Sequence, residues 1–433
     1  MRMIPYKKRI QEHKMGLRLA QKRSFLLQKS VSDRPRHIFL CLYELRSPHT
    51  APCHNNCLSL PNCMLASNKR ARLFSLITIC ANMSSFAESM VMSLSNAKVV
   101  STLDGIADPN ACIGTHDGSF HCDEALAISM LKLLPRYSQA TVVRSRNNDL
   151  LTQCGIVVDV GAIYDATTNR YDHHQREFTG VLEGYNTKLS SAGLVYKHFG
   201  HDIIREVLKS TTNPSLSTND EFVEIIFHKL YVNFMEHIDA IDNGISIADG
   251  APLKYHISTT LSGRVGNLNP AWNAEQSKDI YNAQFIKAMC LTGSEFVAAV
   301  EGLANNWWPA RSIVIDAMKA RKQIHPSGKI LVFEMACPWK DHLFELDDEG
   351  SPPLYVLYAD SGGSWRIQAV PVDPNSFTSR KKLPTEWCGL RDDVLSAKTG
   401  VPGGIFIHTG GFIGGHKDKA GALEMAIKAL DLE

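Results

Sequence analysis

The 433-residue sequence has no apolar run approaching the roughly 18 residues a membrane-spanning helix needs, which excludes a membrane span. It has no internal repeat and no low-complexity segment, which excludes a repeat array. Acidic residues are scarce in the first 80 positions, where Glu12, Asp33 and Glu44 stand against 15 Lys and Arg. That segment carries +12, and with a net charge of +2 the other 353 residues carry −10. Paired cysteine spacing is also missing. Cys41, Cys53, Cys57, Cys63 and Cys80 lie in the basic leader. Cys112, Cys122, Cys154, Cys290, Cys337 and Cys388 are scattered, which argues for a reducing compartment and against a disulfide framework. Cys53, Cys57 and Cys63 are poorly spaced for zinc, because the second gap is five residues and no matching half follows.

What remains is an ordinary soluble composition, 44% hydrophobic and 21% charged, on a chain too long for one core. Two domains plus an appendage are expected. The basic, acid-poor leader, residues 1–95, reads as disordered. An organelle transit segment, a nucleic-acid arm and an over-extended start share that composition. From Met64 the signal is compact, with Arg70, Arg72, several serines and no acid before Glu88. It predicts a mitochondrial presequence with Met64 as the working start. "KRAR" at 69–72 is a weaker nuclear signal.

Beyond the leader, extended and helical patterns alternate, which favours an α/β domain with a largely parallel sheet over 96–294. "ACIGTH", "ATVVRSR" and "CGIVVDVG" read as strands, "DEALAISMLKLL" as a helix, and "KLSSAGLVYKHFG" as a helix closed by Gly200. A long helix runs from Asp220 to Asp242 after the capping run "STND" and stops at "DNG". "NNWWP" marks a boundary region. A second α/β domain over 295–433 follows, with "RSIVIDA", "KILVFEM", "PLYVLYA", "WRIQAVPV" and "GGIFIHT" extended and "AGALEMAIKAL" helical.

Asp and His residues gather at the ends of these elements. His116, His121 and Asp123 lie between a strand and a helix start, Asp159 ends "IVVD", Asp172, His173 and His174 follow the next extended run, and Asp239 and Asp242 close the long helix. Loops meet at the carboxyl edge of a parallel sheet, where ligands from separate elements converge. Imidazole mixed with carboxylate suits Mn²⁺, Fe, Co or Zn better than Mg²⁺. Taken singly, each residue also reads as a cap, a loop hydrogen-bond partner or a solvated face. The order of all four groups, each at an element end, is what points to a two-ion centre.

Four such motifs closing on Asp-His-His resemble the DHH phosphoesterase superfamily, which includes RecJ-type exonucleases, oligoribonucleases and manganese pyrophosphatases. "THDGSFHCDEALA", "RYDHHQREF", "HIDAIDNGI", "GGSWRIQAVP" and "FIHTGGFIGGHKDKAGALEMA" look like its Myg-type (melanocyte-proliferating-gene) family over about 110–430. The resemblance implies a two-lobed α/β fold, with a parallel-sheet catalytic domain and a smaller α/β substrate-binding domain. It also implies a 3′-to-5′ exonuclease for single-stranded RNA, in mitochondrion and nucleus, using two divalent ions, with Mn²⁺ expected. His116, His121 and Asp159 would hold one ion; Asp123, Asp159, His173 and one of Asp239 and Asp242 the other. Asp242 sits where the helix pattern stops, so it is taken as the ligand and Asp239 as its support. Asp172 would support the site and His174 would face the substrate phosphate. His121 stands where the wider superfamily has Asp.

In the C-terminal lobe, Gly362 and Gly363 with Arg366, and Gly414, Gly415 and His416 with Lys417, read as glycine-rich turns whose N–H groups cradle phosphate. They resemble the DHH-associated substrate-binding domain. Two alternatives stand beside the exonuclease: a small-molecule phosphohydrolase such as a pyrophosphatase or oligonucleotide phosphatase, favoured by the acidic body, and a non-catalytic RNA-binding protein on the same fold.

Overall fold

A computed structural model describes residues 85–432, apart from Thr212, Asp249, Ala251, Pro252, Asp348 and Glu349. The presequence start at Met64, the Cys53–Cys63 cluster and "KRAR" lie outside the described residues.

Order begins before residue 96. Helix α1 (Ser85–Ser95) buries Ala87, Met90, Val91 and Leu94, a stripe at three- and four-residue spacing on one helix face. The leader as drawn, 1–95, is therefore too long by one helix. The N-terminal sheet is built from β1 (Val99–Val100), β2 (Ile113–Thr115), β3 (Val142–Arg144), β4 (Ile156–Val158), β5 (Tyr164–Asp165) and β6 (Arg170–Tyr171). Its order is β1-β3-β2-β4-β6-β5, parallel throughout except for β5 against β6. This is the expected α/β arrangement.

Helix α2 (Cys122–Leu133) is buried from Cys122 to Lys132, hydrophobic on nearly every side, as a helix central to a domain must be. Leu126, Ile128 and Leu131 have no exposed surface, and each contributes about 1.5–3 kcal/mol of burial. Around it pack α3 (Ser191–Leu208), α5 (Glu236–Asp242), α6 (Leu261–Gly266) and α7 (Lys278–Gly302), with α4 (Asp220–Leu230) outside them against α3 and α7. Gly200 does not end α3. It lies in mid-helix because a Cβ there would meet the Phe227 ring at 2.7 Å. The long helix expected over 220–242 is continuous but wider-wound at Tyr231–Met235, between α4 and α5.

The boundary expected at 295 falls inside α7. The hydrophobic cores separate further on, between Trp307 and Val314. "RSIVIDA" is not a strand but the body of α8 (Ala310–Ile324), whose Ala310, Val314, Ala317 and Arg321 face inward at helical spacing. After β7 (Ile330–Phe333) and α9 (Lys340–Leu346) come β8 (Tyr355–Ala359), β9 (Trp365–Ala369), α10 (Asp392–Thr399), β10 (Gly404–Ile407), β11 (Ile413–His416) and α11 (Lys419–Asp431). The C-terminal sheet runs β10-β11-β9-β8-β7, antiparallel except for β7 beside β8. No helix among the described residues is long and apolar enough to cross a membrane.

Candidate metal centre

Strands β3, β2, β4 and β6 run parallel and end on one edge, and a polar residue follows or closes each of them. Along that edge stand Arg144 and Arg146, then His116, then Asp159, then Asp172, His173 and His174.

His116 is buried and its Nδ1 donates to the carbonyl of Asp117 at 3.0 Å. The ring therefore turns Nε2 towards Glu124 Oε1 at 3.1 Å and Asp159 Oδ2 at 3.4 Å. Carboxylate oxygens only accept, so Nε2 must carry a proton or share a cation with them. Burial opposes the charged ring, but Asp159 and Glu124 outweigh it and push His116 up to about 10. His173 repeats the arrangement. Against its burial, Asp159 and Asp242 raise it to about 10 as well.

Asp159 joins the two histidines. Its backbone is left-handed (φ 58°), a conformation Asp tolerates better than most residues. Its N–H is bonded to the Tyr171 carbonyl at 3.1 Å. From there Oδ2 faces His116, while Oδ1 lies 3.6 Å from His173 Nε2 and accepts from Ser191 Oγ at 2.9 Å. Burial works to raise Asp159, yet the two imidazoles hold it well below the usual carboxylate range.

Asp123, in the first turn of α2, is 1% exposed, and both its carboxylate oxygens are buried without a hydrogen-bond partner among the described residues. Burial, then Asp159, Asp242 and Glu124, push it well above its ordinary value. His173 Nε2 is likewise without a hydrogen-bond partner, because Asp242 Oδ2, 3.1 Å away, is out of alignment for one. Buried, unpaired polar atoms are expensive, and a divalent cation placed among them relieves the cost. The residues fit such ions in two groups whose coordinating atoms lie within 4.8 Å of one another: His116, His121, Glu124 and Asp159, and Asp123, His173 and Asp242. A third group, Asp159, His173 and His174, bridges them.

The remaining residues divide by partner. Asp172 is in none of the three groups; it accepts from Ala162 N–H at 2.6 Å and from His174 N–H and Nδ1 at 3.0 and 2.7 Å. It thereby fixes His174, whose side chain is 60% exposed and lines the cleft. The Asp172 hydrogen bond raises His174 above its ordinary value. Asp239 faces away. Its Oδ1 accepts from Ser190 N–H and Oγ at 3.0 and 2.7 Å and its Oδ2 from Tyr231 at 3.1 Å, tying α5 to the cap of α3. Burial pushes Asp239 up to about 7, with Ser190 and Tyr231 acting against it. Over the centre opens a cleft of about 480 Å³, with His121, Asp159, His174 and Asp242 on one wall and Thr260 and Ser262 on another.

The anion-cradling turns expected in the C-terminal lobe are differently employed. Gly414, Gly415 and His416 lie in β11, paired with β9 on one side and β10 on the other, so they form no open loop. His416 is 1% exposed and bonded to the Pro402 carbonyl at 2.9 Å; it fills the space left where Gly421 lacks a Cβ. The Gly362–Gly363 turn already holds an anion, the Asp360 carboxylate, which accepts from Gly362 and Ser364 N–H at 2.9 and 3.0 Å. Arg366 pairs with the same carboxylate at 2.5 Å, leaving its buried NH1 without a hydrogen-bond partner among the described residues. Lys417 is exposed.

Three participants escape sequence reasoning. Glu124 is fully buried and touches His116, Asn243 Oδ1 accepts from His173 Nδ1 at 3.3 Å, and Ser191 bonds Asp159. Glu124 stands three residues after His121 at the head of α2, a capping-box spacing that could have drawn notice.

A family model described as "Uncharacterised protein family (UPF0160)", MYG1_exonuc, matches residues 112–430. The chain is 48% identical over 325 residues to the human MYG1 exonuclease, covering 72% of this chain and 84% of that one. It is 46% identical over 332 residues to a MYG1 protein of Caenorhabditis elegans, covering 74% and 95%. With the MYG1 protein of Dictyostelium discoideum the identity is 46% over 325 residues, covering 74% and 96%.

Proposed function

The chain belongs to the MYG1 exonuclease family (UPF0160), and on that footing we propose that it is a two-metal exonuclease removing nucleotides from the 3′ end of single-stranded RNA. The observation that carries the reading is Asp159, whose two oxygens face two separate ligand groups. That is the arrangement of a carboxylate shared by two ions. His116, His121, Asp159 and the newly found Glu124 would hold one, and Asp123, His173 and Asp242 the other, on a DHH-type two-lobed fold. Divalent ions bound there, in this reading Mn²⁺, supply charge neutralisation at the phosphate and a reactive water at neutral pH.

The chain's own residues do the rest. Burial of Asp123 and Asp159 excludes bulk water from beneath the scissile group. His174, held through Nδ1 by Asp172, presents its opposite nitrogen to the cleft and holds a proton for the leaving 3′ oxygen. A cleft of about 480 Å³ admits a strand end rather than the body of a duplex. A small-molecule phosphohydrolase would use the same centre; the exonuclease names of the human and bovine relatives favour the strand. Delivery to mitochondrion and nucleus is part of the proposal, supported by the basic leader.

The test gives the full chain single-stranded RNA labelled at either end, with Mn²⁺. Stepwise loss from the 3′ end supports the proposal. Loss from the 5′ end, or turnover of pyrophosphate with intact RNA, overturns it.

A further inference from the structure

A second cavity, of about 230 Å³, shares the loop that carries His116 and His121. Its walls are Asp117 and Gly118 of that loop, Arg144 at the end of β3, and Ser277, Lys278 and Asn282 at the start of α7.

Arg144 has no exposed surface. Its NH2 donates to the Gly118 carbonyl at 2.8 Å, its NH1 reaches Asn282 Oδ1 only at 3.4 Å, and its buried Nε has no hydrogen-bond partner among the described residues. Phe285 lies beneath the guanidinium at 4.5 Å, a contact that favours the cation without neutralising it. Among the described residues no carboxylate forms an ion pair with Arg144, and a buried charge left so is costly and seldom kept unless something pairs with it. Asp117, the acidic residue among the lining side chains, does not serve; it lies 3.6 Å from both Arg146 and Lys278. Burial pulls Arg144 down to about 10 against the nearby Glu124 and Asp117. It remains a cation throughout the physiological range.

The other wall is also positive. α7 is 25 residues long, so its amino end carries a full helix dipole, and it opens at the cavity with Ser277 as its cap. Lys278, exposed at the rim and 3.6 Å from Asp117, adds an ammonium. A guanidinium, an ammonium and a helix amino end around one space are the chemistry that binds a phosphate oxyanion. The place matters too: Asp117 and Gly118 directly follow His116, so an anion here is a close neighbour of one held at the metal centre.

We propose that this cavity binds a backbone phosphate of the substrate strand, at a linkage next to the one that is cut. The strand assignment rests on the exonuclease reading above; the presence of an anion site does not. Arg144 supplies the fixed charge, and Lys278 closes over the phosphate from α7. Holding the neighbouring phosphate fixes the register of the strand against the metal centre.

The full chain, treated with EDTA so that the metal centre takes no phosphate, is titrated with inorganic phosphate and its thermal midpoint followed. A saturable rise is expected for the wild type, a requirement for about tenfold more phosphate in Lys278→Gln, and no saturable rise in Arg144→Met. If Arg144→Met does not fold, the surface variant Lys278→Gln decides. No saturable rise in the wild type, or an unchanged Lys278→Gln, overturns the site. In a second arm, RNAs carrying one neutral methylphosphonate linkage at successive positions are bound to the same EDTA-treated protein. One uncut linkage near the 3′ end should weaken binding about tenfold in the wild type and have no effect in Lys278→Gln. Equal binding of every such RNA to the wild type would show that the site takes free phosphate and not the strand. Cleavage with Mn²⁺ is scored separately, so an inactive protein refutes the nuclease reading without touching the first arm.

Discussion

Asp239 and Asp242 stand one helical turn apart on α5 and face opposite tasks: Asp242 lies 3.1 Å from His173 Nε2, while Asp239 is consumed by Ser190 and Tyr231. The two should therefore fail differently. Asp242→Asn should keep its stability and lose activity that added Mn²⁺ does not restore. Asp239→Ala strands a buried N–H and two hydroxyls, and should unfold more easily by about 2–4 kcal/mol while its folded fraction still binds metal. Denaturant melts and Mn²⁺ titrations of both variants check this; an Asp239→Ala protein of normal stability that needs more metal would reverse the assignment.

Metal binding should depend steeply on pH. His116 and His173 are held at about 10 by carboxylates, whereas an unfolded imidazole titrates near 6.5. A folded value above the unfolded one means that the ion pairs stabilise fully below about pH 6.5 and are lost as pH rises through about 10. The EDTA-treated protein should lose stability across that window. Mn²⁺ must displace the same protons, so its affinity should climb over the accessible part, about pH 6.5 to 8.5. Calorimetry in buffers of different ionisation enthalpy should show proton release; binding without it would refute the role given to these rings.

His174 and Asp172 act as a pair, with the proton on the histidine. His174→Gln should lower kcat by about 100-fold or more with Mn²⁺ affinity little changed. Asp172→Asn removes the negative charge behind the hydrogen bond that raises His174. The basic limb of its kcat profile should therefore move to lower pH, because the ring gives up its proton sooner. A limb that stays in place would mean that another group is the acid.

The sequence makes the metal edge legible because a parallel sheet leaves few choices: residues that directly follow β2, β4 and β6 must share one edge, and these are His116, Asp159 and Asp172 to His174. What it hides is decided by tertiary contact. Ile313, Val314 and Ile315 look like a strand locally, and only the inward row of Ala310, Val314, Ala317 and Arg321 reveals α8. Gly200 looks like a helix stop, yet it answers to Phe227 from another helix. Gly414 and Gly415 look like an open cradle, yet their backbone lies between two strands. Asp239 and Asp242 share one short motif, and which of them reaches His173 depends on where Ser190 and Tyr231 sit.

Glu124 is the residue on which the centre and the fold overlap most. Its oxygens accept from His121 N–H at 2.9 and 3.0 Å, which caps α2, and Oε1 also lies 3.1 Å from His116 Nε2. Glu124→Gln leaves one oxygen to serve the cap, so the metal-free protein should still fold, with its melting temperature lowered only by the lost charge beside His116. The second oxygen is lost, and with it a carboxylate within reach of the ion. Mn²⁺ affinity should then fall by about 10–100-fold, the loss expected whether Glu124 touches the ion or only orients His116. Imidazole resonances of His116 separate those two roles: a retained ring environment with weaker metal means direct contact, and a shifted one means orientation. Unchanged Mn²⁺ affinity would leave Glu124 as a helix cap alone, and the first ion to His116, His121 and Asp159.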